Sequence, residues 1–488
     1  MLIDIVLTYV GGQGGVENVI TPVSQGLVNR GHKVRVILAY PSQNPEWEET
    51  LPEYHYYGTV GNMQNETLQS LSLGYENLLT KIGKPNLVLA THAPSLSYVC
   101  RSAIASVPGV NCPIISWLHG PPEYFGYTNT LKYSDAHLAI SSQIQFSIEK
   151  FIYPDIPIYN IGNPVNVKNN KTIKRSEDRL ELLYVGRLHL HDKRLDILLR
   201  GLQHVKGEWR LRIIGAGTDE DQIRKLSIDL GIQHNLEWLG WKENPWDEID
   251  EASLLILSSD FEGFGLVLVE SLSRGIPVVS TMCSGPLDII EEGKNGWLYP
   301  IRDFMALGDI LQDIIDGKKT LPSSEDCISS VQRFDSEEVI GNIELVAEYY
   351  VNGEGKQELN NNYIVKDDIY HSSTSEKNIL NVITNGIEYL GTTHRIVSEK
   401  ILNYYFTNDF LKQINLEGNL INEESIYATV LNAKLEKINY SFSKAKVQFL
   451  LINKGVIADK IIDERLAYTA KLINDQGIWK INSLELLN

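Results

Sequence analysis

The stretch Leu2-Ile3-Asp4-Ile5-Val6-Leu7-Thr8-Tyr9, with Gly11-Gly12-Gln13-Gly14-Gly15 close behind it, decides the fold class. A short apolar run ends in glycines, and Val16, Val19, Ile20, Val23 and Leu27 then recur at helical spacing. The order is strand, glycine loop, helix. Arg30-Gly31-His32 supplies a basic last turn and a terminating glycine, after which residues 34–39 read as a second buried strand. Pro22 falls inside the helix and predicts a kink, because it lacks an N–H and its ring crowds the preceding turn.

The alternation continues outward. Leu87-Val88-Leu89-Ala90, Ile114-Ile115-Ser116-Trp117 and His137-Leu138-Ala139-Ile140 are brief apolar runs, each leading into polar or helical sequence. Parallel strands joined by crossover helices account for that pattern. It restarts at Glu181-Leu182-Leu183-Tyr184-Val185-Gly186 and runs through residues 211–215, 236–240, 254–257 and 277–280. The expected architecture is α/β, with two Rossmann-like doubly wound domains at 1–165 and 166–352. Their strand ends face a shared cleft. Residues 353–362 lack apolar periodicity and read as a linker. From 363 to 488 the pattern is helical first (377–414) and strand-like afterwards (433–440, 446–452, 466–472, 479–481), which suits an α+β accessory domain.

The length of 488 residues, 43% of them hydrophobic, fits about three domains of roughly 150 residues each. Lys+Arg number 44 against Asp+Glu 62, a net charge of -18. So acidic a chain repels phosphate backbones, and nucleic acid is not an expected partner. Cys100, Cys112, Cys283 and Cys327 are too scattered for a metal knuckle and too few for a stapled secreted fold, so they read as reduced core thiols. No apolar run approaches the roughly 20 residues of a membrane span, and the start lacks a cleavable leader pattern; a cytoplasmic location is expected. Residues 1–165 carry 8 Lys+Arg against 12 Asp+Glu, so contact with the inner face of a membrane is at most peripheral.

The chemistry concentrates in Ser258-Ser259-Asp260-Phe261-Glu262-Gly263-Phe264-Gly265-Leu266-Val267-Leu268-Val269-Glu270. Glu262 would sit just past a strand end, and Leu266–Leu272 would open a helix whose first-turn N–H groups suit an anion. Glu270, one turn in, can accept hydrogen bonds from vicinal hydroxyls. Arg187 follows the first strand of the second series and can grip phosphate oxygens as a fork, while Lys193 adds a point charge. Gly14 and Gly15 let the backbone approach the same group. A ligand with a pyrophosphate and a diol is a nucleotide sugar. The same residues allow plainer readings: Arg187 and Lys193 as helix caps or partners of Asp192 and Asp196, and His119 as a satisfied core histidine. His92, His189 and His191 form no metal set and read as surface or loop residues.

Gly14-Gly15-Val16-Glu17, Arg30-Gly31-His32, His119-Gly120, Gly186-Arg187 with Lys193, Ile214-Gly215-Ala216-Gly217, the Glu262 and Glu270 pair, and Gly293-Lys294-Asn295-Gly296 occur in that order. Together they resemble the retaining GT-B glycosyltransferases of family 4, over roughly residues 1–352. The resemblance implies that Glu262 binds donor-sugar hydroxyls near the reacting carbon and that Glu270 holds the ribose. Arg187 and Lys193 would neutralise the leaving diphosphate, and His119 would orient the sugar. Backbone groups of Phe264, Gly265 and Leu266 would line sugar and phosphates, with Trp241 and Lys242 near the base. A last helix at 336–351 would cross back onto the first domain.

The implied reaction moves a hexosyl unit from a UDP-sugar to a hydroxyl of a glycan, glycoconjugate or protein, with anomeric retention. The donor is a substrate, and no cofactor is expected. No Asp-x-Asp stands at a sheet end, and fixed cations can serve the diphosphate, so no metal is expected either. The segment Cys283-Ser284-Gly285-Pro286-Leu287-Asp288-Ile289-Ile290 departs from the family's commoner Gly-Gly-x-x-Glu. It is closer to transferases of surface-polysaccharide synthesis, which points to UDP-glucose, UDP-galactose or an N-acetylhexosamine donor. The alternative is a non-catalytic GT-B subunit that binds an acceptor for a partner; such subunits tend to lose the donor glutamates and phosphate cations, all present here. An epimerase would lack an acceptor pocket and the tail domain, and a phosphorylase would need a free-phosphate site. Residues 363–488 are similar in pattern to the cone-shaped nuclear-transport-factor-like fold, which offers an acceptor pocket or a surface for self-association.

Overall fold

The computed structural model describes residues 1–353 except 9–10, 12–13, 60–65, 109–111, 153–155, 169 and 177, and then the strands 425–435, 444–457, 460–475 and 478–486. The chain divides into two compact units, one of residues 1–151 and 156–359, the other of 360–488 with 152–155.

In the larger unit, β1 (Leu2–Leu7), β2 (Lys33–Leu38), β3 (Tyr54–Tyr56), β4 (Leu87–Thr91), β5 (Ile114–Leu118), β6 (Ala136–Ala139) and β7 (Ile158–Asn160) form one parallel sheet. Its order is β3-β2-β1-β4-β5-β6-β7. Ile3, Ile5, Val6 and Leu7 of β1 have no solvent exposure, as expected of a strand covered on both faces. One charged pair lies inside this core. Arg35 of β2 grips Asp4 of β1 as a fork, Nε to Oδ1 at 2.7 Å and Nη2 to Oδ2 at 3.0 Å, and the Tyr75 hydroxyl donates to Asp4 Oδ2 at 2.7 Å. Two further guanidinium N–H groups reach the carbonyls of Ile82 and Gly83, so four of the buried cation's five donors have partners among the described residues.

A second parallel sheet follows, with β8 (Leu180–Val185), β9 (Trp209–Ile214), β10 (Leu236–Gly240), β11 (Leu254–Leu257), β12 (Val278–Thr281) and β13 (Gly296–Tyr299) in the order β10-β9-β8-β11-β12-β13. In both sheets the chain runs outward on one side and then returns to the other side of the first strand. The reversals fall between β1 and β4 and between β8 and β11. Loops leaving adjacent strands in opposite directions open a crevice there, which is where α/β sheets bind ligands.

The helix Glu17–Asn29 continues through Pro22, and Gly31, at φ +90°, ends it in the left-handed region that glycine tolerates. The last helix, Ser336–Asn352, returns to the first sheet's side: Arg30 bonds Glu337 at 2.8 Å and Glu344 at 2.9 Å. The short edge strands β3, β7 and β13 had no counterpart in the sequence pattern. All four cysteines are free and buried. No helix among the described residues is long and apolar enough to cross a membrane.

In the second unit β14 (Ser425–Leu435), β15 (Lys444–Ile457), β16 (Lys460–Asp475) and β17 (Ile478–Leu486) pair antiparallel in sequence order, a meander. The helical stretch expected at 377–414 and the linker at 353–362, beyond Gly353 itself, lie outside the described residues.

Candidate functional site

The pairing of β8 with β11 sets the Arg187 loop beside the Glu262 loop, because Leu182 and Leu183 stand opposite Leu254 and Leu255. Lys193 Nζ donates to Glu262 Oε1 at 2.6 Å, and the Ser259 hydroxyl donates to the same oxygen at 2.7 Å. Glu262 Oε2 has no hydrogen bond among the described residues, so it is left for a ligand hydroxyl. Two hydrogen bonds to backbone carbonyls hold the loops together. Ser258 Oγ donates to the Lys193 carbonyl at 2.9 Å, and Asp260 N–H donates to the Asp192 carbonyl at 2.9 Å.

Arg187 lies beside this pair but stays loose. Its side chain is 74% exposed, and its Nη2 is 3.5 Å from Asp192, too long for a firm bond. Burial tends to raise the Asp192 carboxyl, but the hydrogen bond from His189 at 2.5 Å and the charges of Lys193 and Arg187 hold it below its ordinary range. A phosphate group would compete well for Arg187, since a doubly charged oxygen cluster outbids one already satisfied carboxylate. Asp196 is not the partner of Lys193; it is gripped by Arg194.

Glu270 lies in the helix Leu266–Leu272 and accepts the Trp246 indole N–H at 2.9 Å. Arg274 stacks over the Trp246 ring, 4.6 Å from its centre. Burial pushes the Glu270 carboxyl up, against the indole bond and the Arg274 charge. Its other oxygen has no hydrogen bond among the described residues. Trp246 was not singled out by sequence, although its position beside Trp241 and Lys242 was. Trp241 itself is 66% exposed, and Lys242 pairs with Glu248 at 3.1 Å, so neither contacts the Lys193 and Glu262 pair.

The helix that carries Glu270 starts from Gly265 at φ +94° and has no side-chain cap. Leu266 opens it. The Phe264 ring turns away into the core, 5.0 Å from Phe334, so only its backbone can face a ligand.

From the first sheet, His119 follows β5. It is not a satisfied core histidine: its Nε2 is sealed from solvent without a hydrogen-bond partner among the described residues. Burial, and then neighbouring His92, push its pKa down to about 3, so the ring is neutral. Its backbone carbonyl approaches the second half so closely that a Cβ on Gly263 would lie 2.8 Å from the oxygen, which requires glycine beside Glu262.

His92, expected at the surface or in a loop, does lie in a loop, but its side chain is half-buried. It sits just past β4 with φ +87°, a strained conformation for a non-glycine residue, and its Nδ1 is buried without a hydrogen-bond partner among the described residues. Its ring is 4.7 Å from Phe125 and 6.5 Å from His119. A buried unmatched nitrogen costs about 1–3 kcal/mol, which a ligand hydroxyl would recover. The available signal was position, since His92 follows β4 as His119 follows β5.

Gly14 and Gly15 lie on the loop from β1. A Cβ on Gly14 would be 2.8 Å from Glu17 Oε2, whereas one on Gly15 would meet nothing within 4 Å, leaving that backbone open to a ligand. Among the described residues, metal-ligand atoms gather only at His32, Glu344 and Glu348. That group lies at the start of β2, the end of the sheet opposite the crevice, and His32 Nε2 already bonds Glu344 at 2.7 Å.

Two parallel sheets with facing switch points, one of them furnished with paired cations and carboxylates, define a glycosyltransferase of the GT-B class. Family models agree: Glycosyltransferase Family 4 matches residues 13–169 and Glycosyl transferases group 1 matches 166–333, and the chain belongs to these glycosyltransferases. The lipopolysaccharide 1,6-galactosyltransferase of Salmonella typhimurium is 33% identical over 309 residues, 61% of this chain and 86% of that protein. The solved structure of the lipopolysaccharide outer core galactosyltransferase WaaB, in its apo form, matches with a TM-score of 0.64 and 28% identity, spanning 72% of this chain and 99% of its own. Anabaena HepE, solved with UDP-glucose, shares the fold at a TM-score of 0.57 and 19% identity, spanning 71% and 99%.

Proposed function

We propose that this glycosyltransferase moves a galactosyl or related hexosyl unit from its UDP-sugar to a hydroxyl of a lipopolysaccharide-type glycan, with retention and without a metal. The observation that carries the reading is the Lys193 to Glu262 contact of 2.6 Å at the β8/β11 switch point. There a cation for the departing diphosphate and a carboxylate for the sugar hydroxyls share one place. Preorganised positive charge is the largest catalytic term such a site can offer, because charge develops on the leaving oxygen as the glycosidic bond breaks. In this reading Arg187 and Lys193 meet the phosphates, Glu262 and His119 the hexose, and Glu270 the ribose. Phe264, Gly265 and Leu266 offer backbone groups, and Trp241 and Lys242 flank the base. The names of the similar galactosyltransferases support galactose and a lipopolysaccharide acceptor, and UDP-glucose on HepE supports a UDP leaving group.

The test is thermal stabilisation and slow hydrolysis with a panel of UDP-sugars in EDTA. A true donor at about 100 times its Kd should stabilise the protein by about 2.7 kcal/mol. Absence of any shift across UDP-galactose, UDP-glucose and the N-acetylhexosamine donors would refute the donor assignment. The anomeric configuration of the product, read by NMR, decides retention.

A further inference from the structure

The segment Ser284-Gly285-Pro286-Leu287-Asp288 joins the two halves of the larger unit at the point where Glu262 is held. At one end, the Ser284 hydroxyl donates to the Glu262 carbonyl at 2.7 Å, and Gly285 N–H donates to the same carbonyl at 2.9 Å. Gly285 runs so near the Phe264 carbonyl that a Cβ would sit 2.0 Å from its oxygen.

At the other end, Asp288 reaches into the first half. Its Oδ2 accepts the backbone N–H of Ser142 at 2.5 Å, at the first residue of the helix Ser142–Glu149. That helix has its own cap in Ser141, whose hydroxyl accepts the N–H of Ile144, so Asp288 satisfies a different first-turn donor from outside. Asn160, at the end of β7, donates to the Ser142 hydroxyl at 3.2 Å and orients it. Behind Asp288, its own carbonyl accepts the Arg333 guanidinium. Ile140, next to the cap, lies 3.7 Å from where a Gly263 Cβ would be, on the loop that also meets the His119 carbonyl.

We propose that Asp288 is a positioning residue for the transfer step. The strut from Ser142 through Asp288 to the Glu262 carbonyl fixes the separation of the two halves and, through it, the distance from Glu262 to the groups of the first half. Asp288 touches no reacting atom. The proposal rests on the transfer reading above, but its conformational arm does not depend on activity.

Asp288→Ala removes the acceptor, and Ser142→Pro removes the donor from the opposite side. Proline fits the first helical position, and Ser141 at φ -155° and ψ 159° has the extended conformation a residue before proline requires. With the full-length protein and the donor identified in the panel, each variant is expected to lower kcat by about tenfold or more, while the affinity for UDP, held by the second half, stays within about twofold. Asp288→Asn, which keeps an acceptor oxygen, should fall between. The double variant should be no worse than either single one.

Spin labels on Leu73→Cys and Ile228→Cys, both exposed, report the separation of the halves, the native cysteines being buried. The distance distribution should lengthen or broaden in both variants. An unchanged distribution, an unchanged kcat, or a loss of UDP affinity in step with kcat would overturn the inference. Absence of transfer by the wild type would instead refute the reading beneath it, and the label distances would still decide the role of Asp288.

Discussion

Lys193 Nζ rests 2.6 Å from Glu262 Oε1 across 69 residues of sequence, with the two side chains only 16% and 13% exposed. The pair is shielded enough to be strong and open enough to exchange one partner for a substrate. Lys193→Ala and Glu262→Ala are each expected to reduce kcat/KM for the donor by about 10²–10³ with the protein still folded, the size of effect seen when one preorganised charge is lost. Steady-state kinetics beside circular dichroism checks this, and full activity in either variant would contradict the assignment.

Trp246 donates to Glu270 at 2.9 Å while its ring carries Arg274. Trp246→Phe keeps an aromatic ring but deletes the N–H. A misaimed Glu270 should raise KM for the UDP-sugar about tenfold, roughly the free energy of one hydrogen bond to a charged group, with kcat little altered. A fall in kcat at constant KM would show that Glu270 acts on the reacting sugar instead.

Arg194 occupies the left-handed region, φ 49° and ψ 46°, directly after Lys193. Its guanidinium grips Asp196 at 2.8 and 2.9 Å and reaches Asp260 at 3.1 Å, which offsets the backbone strain. Arg194→Gly loses the ion pairs but relieves the strain, whereas Arg194→Ala loses the pairs and keeps a Cβ in an unfavourable conformation. Urea denaturation should therefore rank alanine below glycine by about 0.5–1 kcal/mol, the reverse of the order in a helix.

His137 is buried in β6 with Nδ1 2.5 Å from the Ser116 hydroxyl, and burial pushes its pKa down to about 3, as burial and His92 do for His119. Unfolded, both titrate near 6.5, so the unfolded chain takes up protons that the folded chain refuses. The stability contribution is whole above about pH 6.5 and is lost as pH falls from there toward 3, approaching about 1.4 kcal/mol per pH unit for each histidine. Tm measured from about pH 7.5 to 5 should fall less steeply in His137→Phe than in the wild type. Equal slopes would mean that His137 titrates in the folded protein as it does in the unfolded chain.

Local pattern carried much of this molecule. The strand, glycine loop and helix at the start, the second series from Glu181, and the helix Leu266–Leu272 between two glutamates were all legible, because a buried parallel strand needs a continuous apolar run and a covered helix needs a 3.6-residue stripe. Strands β3, β7 and β13, of three or four residues, leave no periodic trace. His92 reads from sequence only as a surface or loop residue because the rings it packs against, Phe125 and His119, lie elsewhere in the chain.

The sequence alone thus determined which segments become strands and helices, and which cations, carboxylates and glycines stand just beyond strand ends. Only the tertiary structure decided which of those groups meet. It joined Lys193 to Glu262, gave Glu270 to Trp246, left Arg187 loose and set Asp288 on Ser142. Periodicity records how a segment meets the core, whereas a contact between residues tens to hundreds of positions apart depends on strand order and the approach of two sheets, which no local window contains.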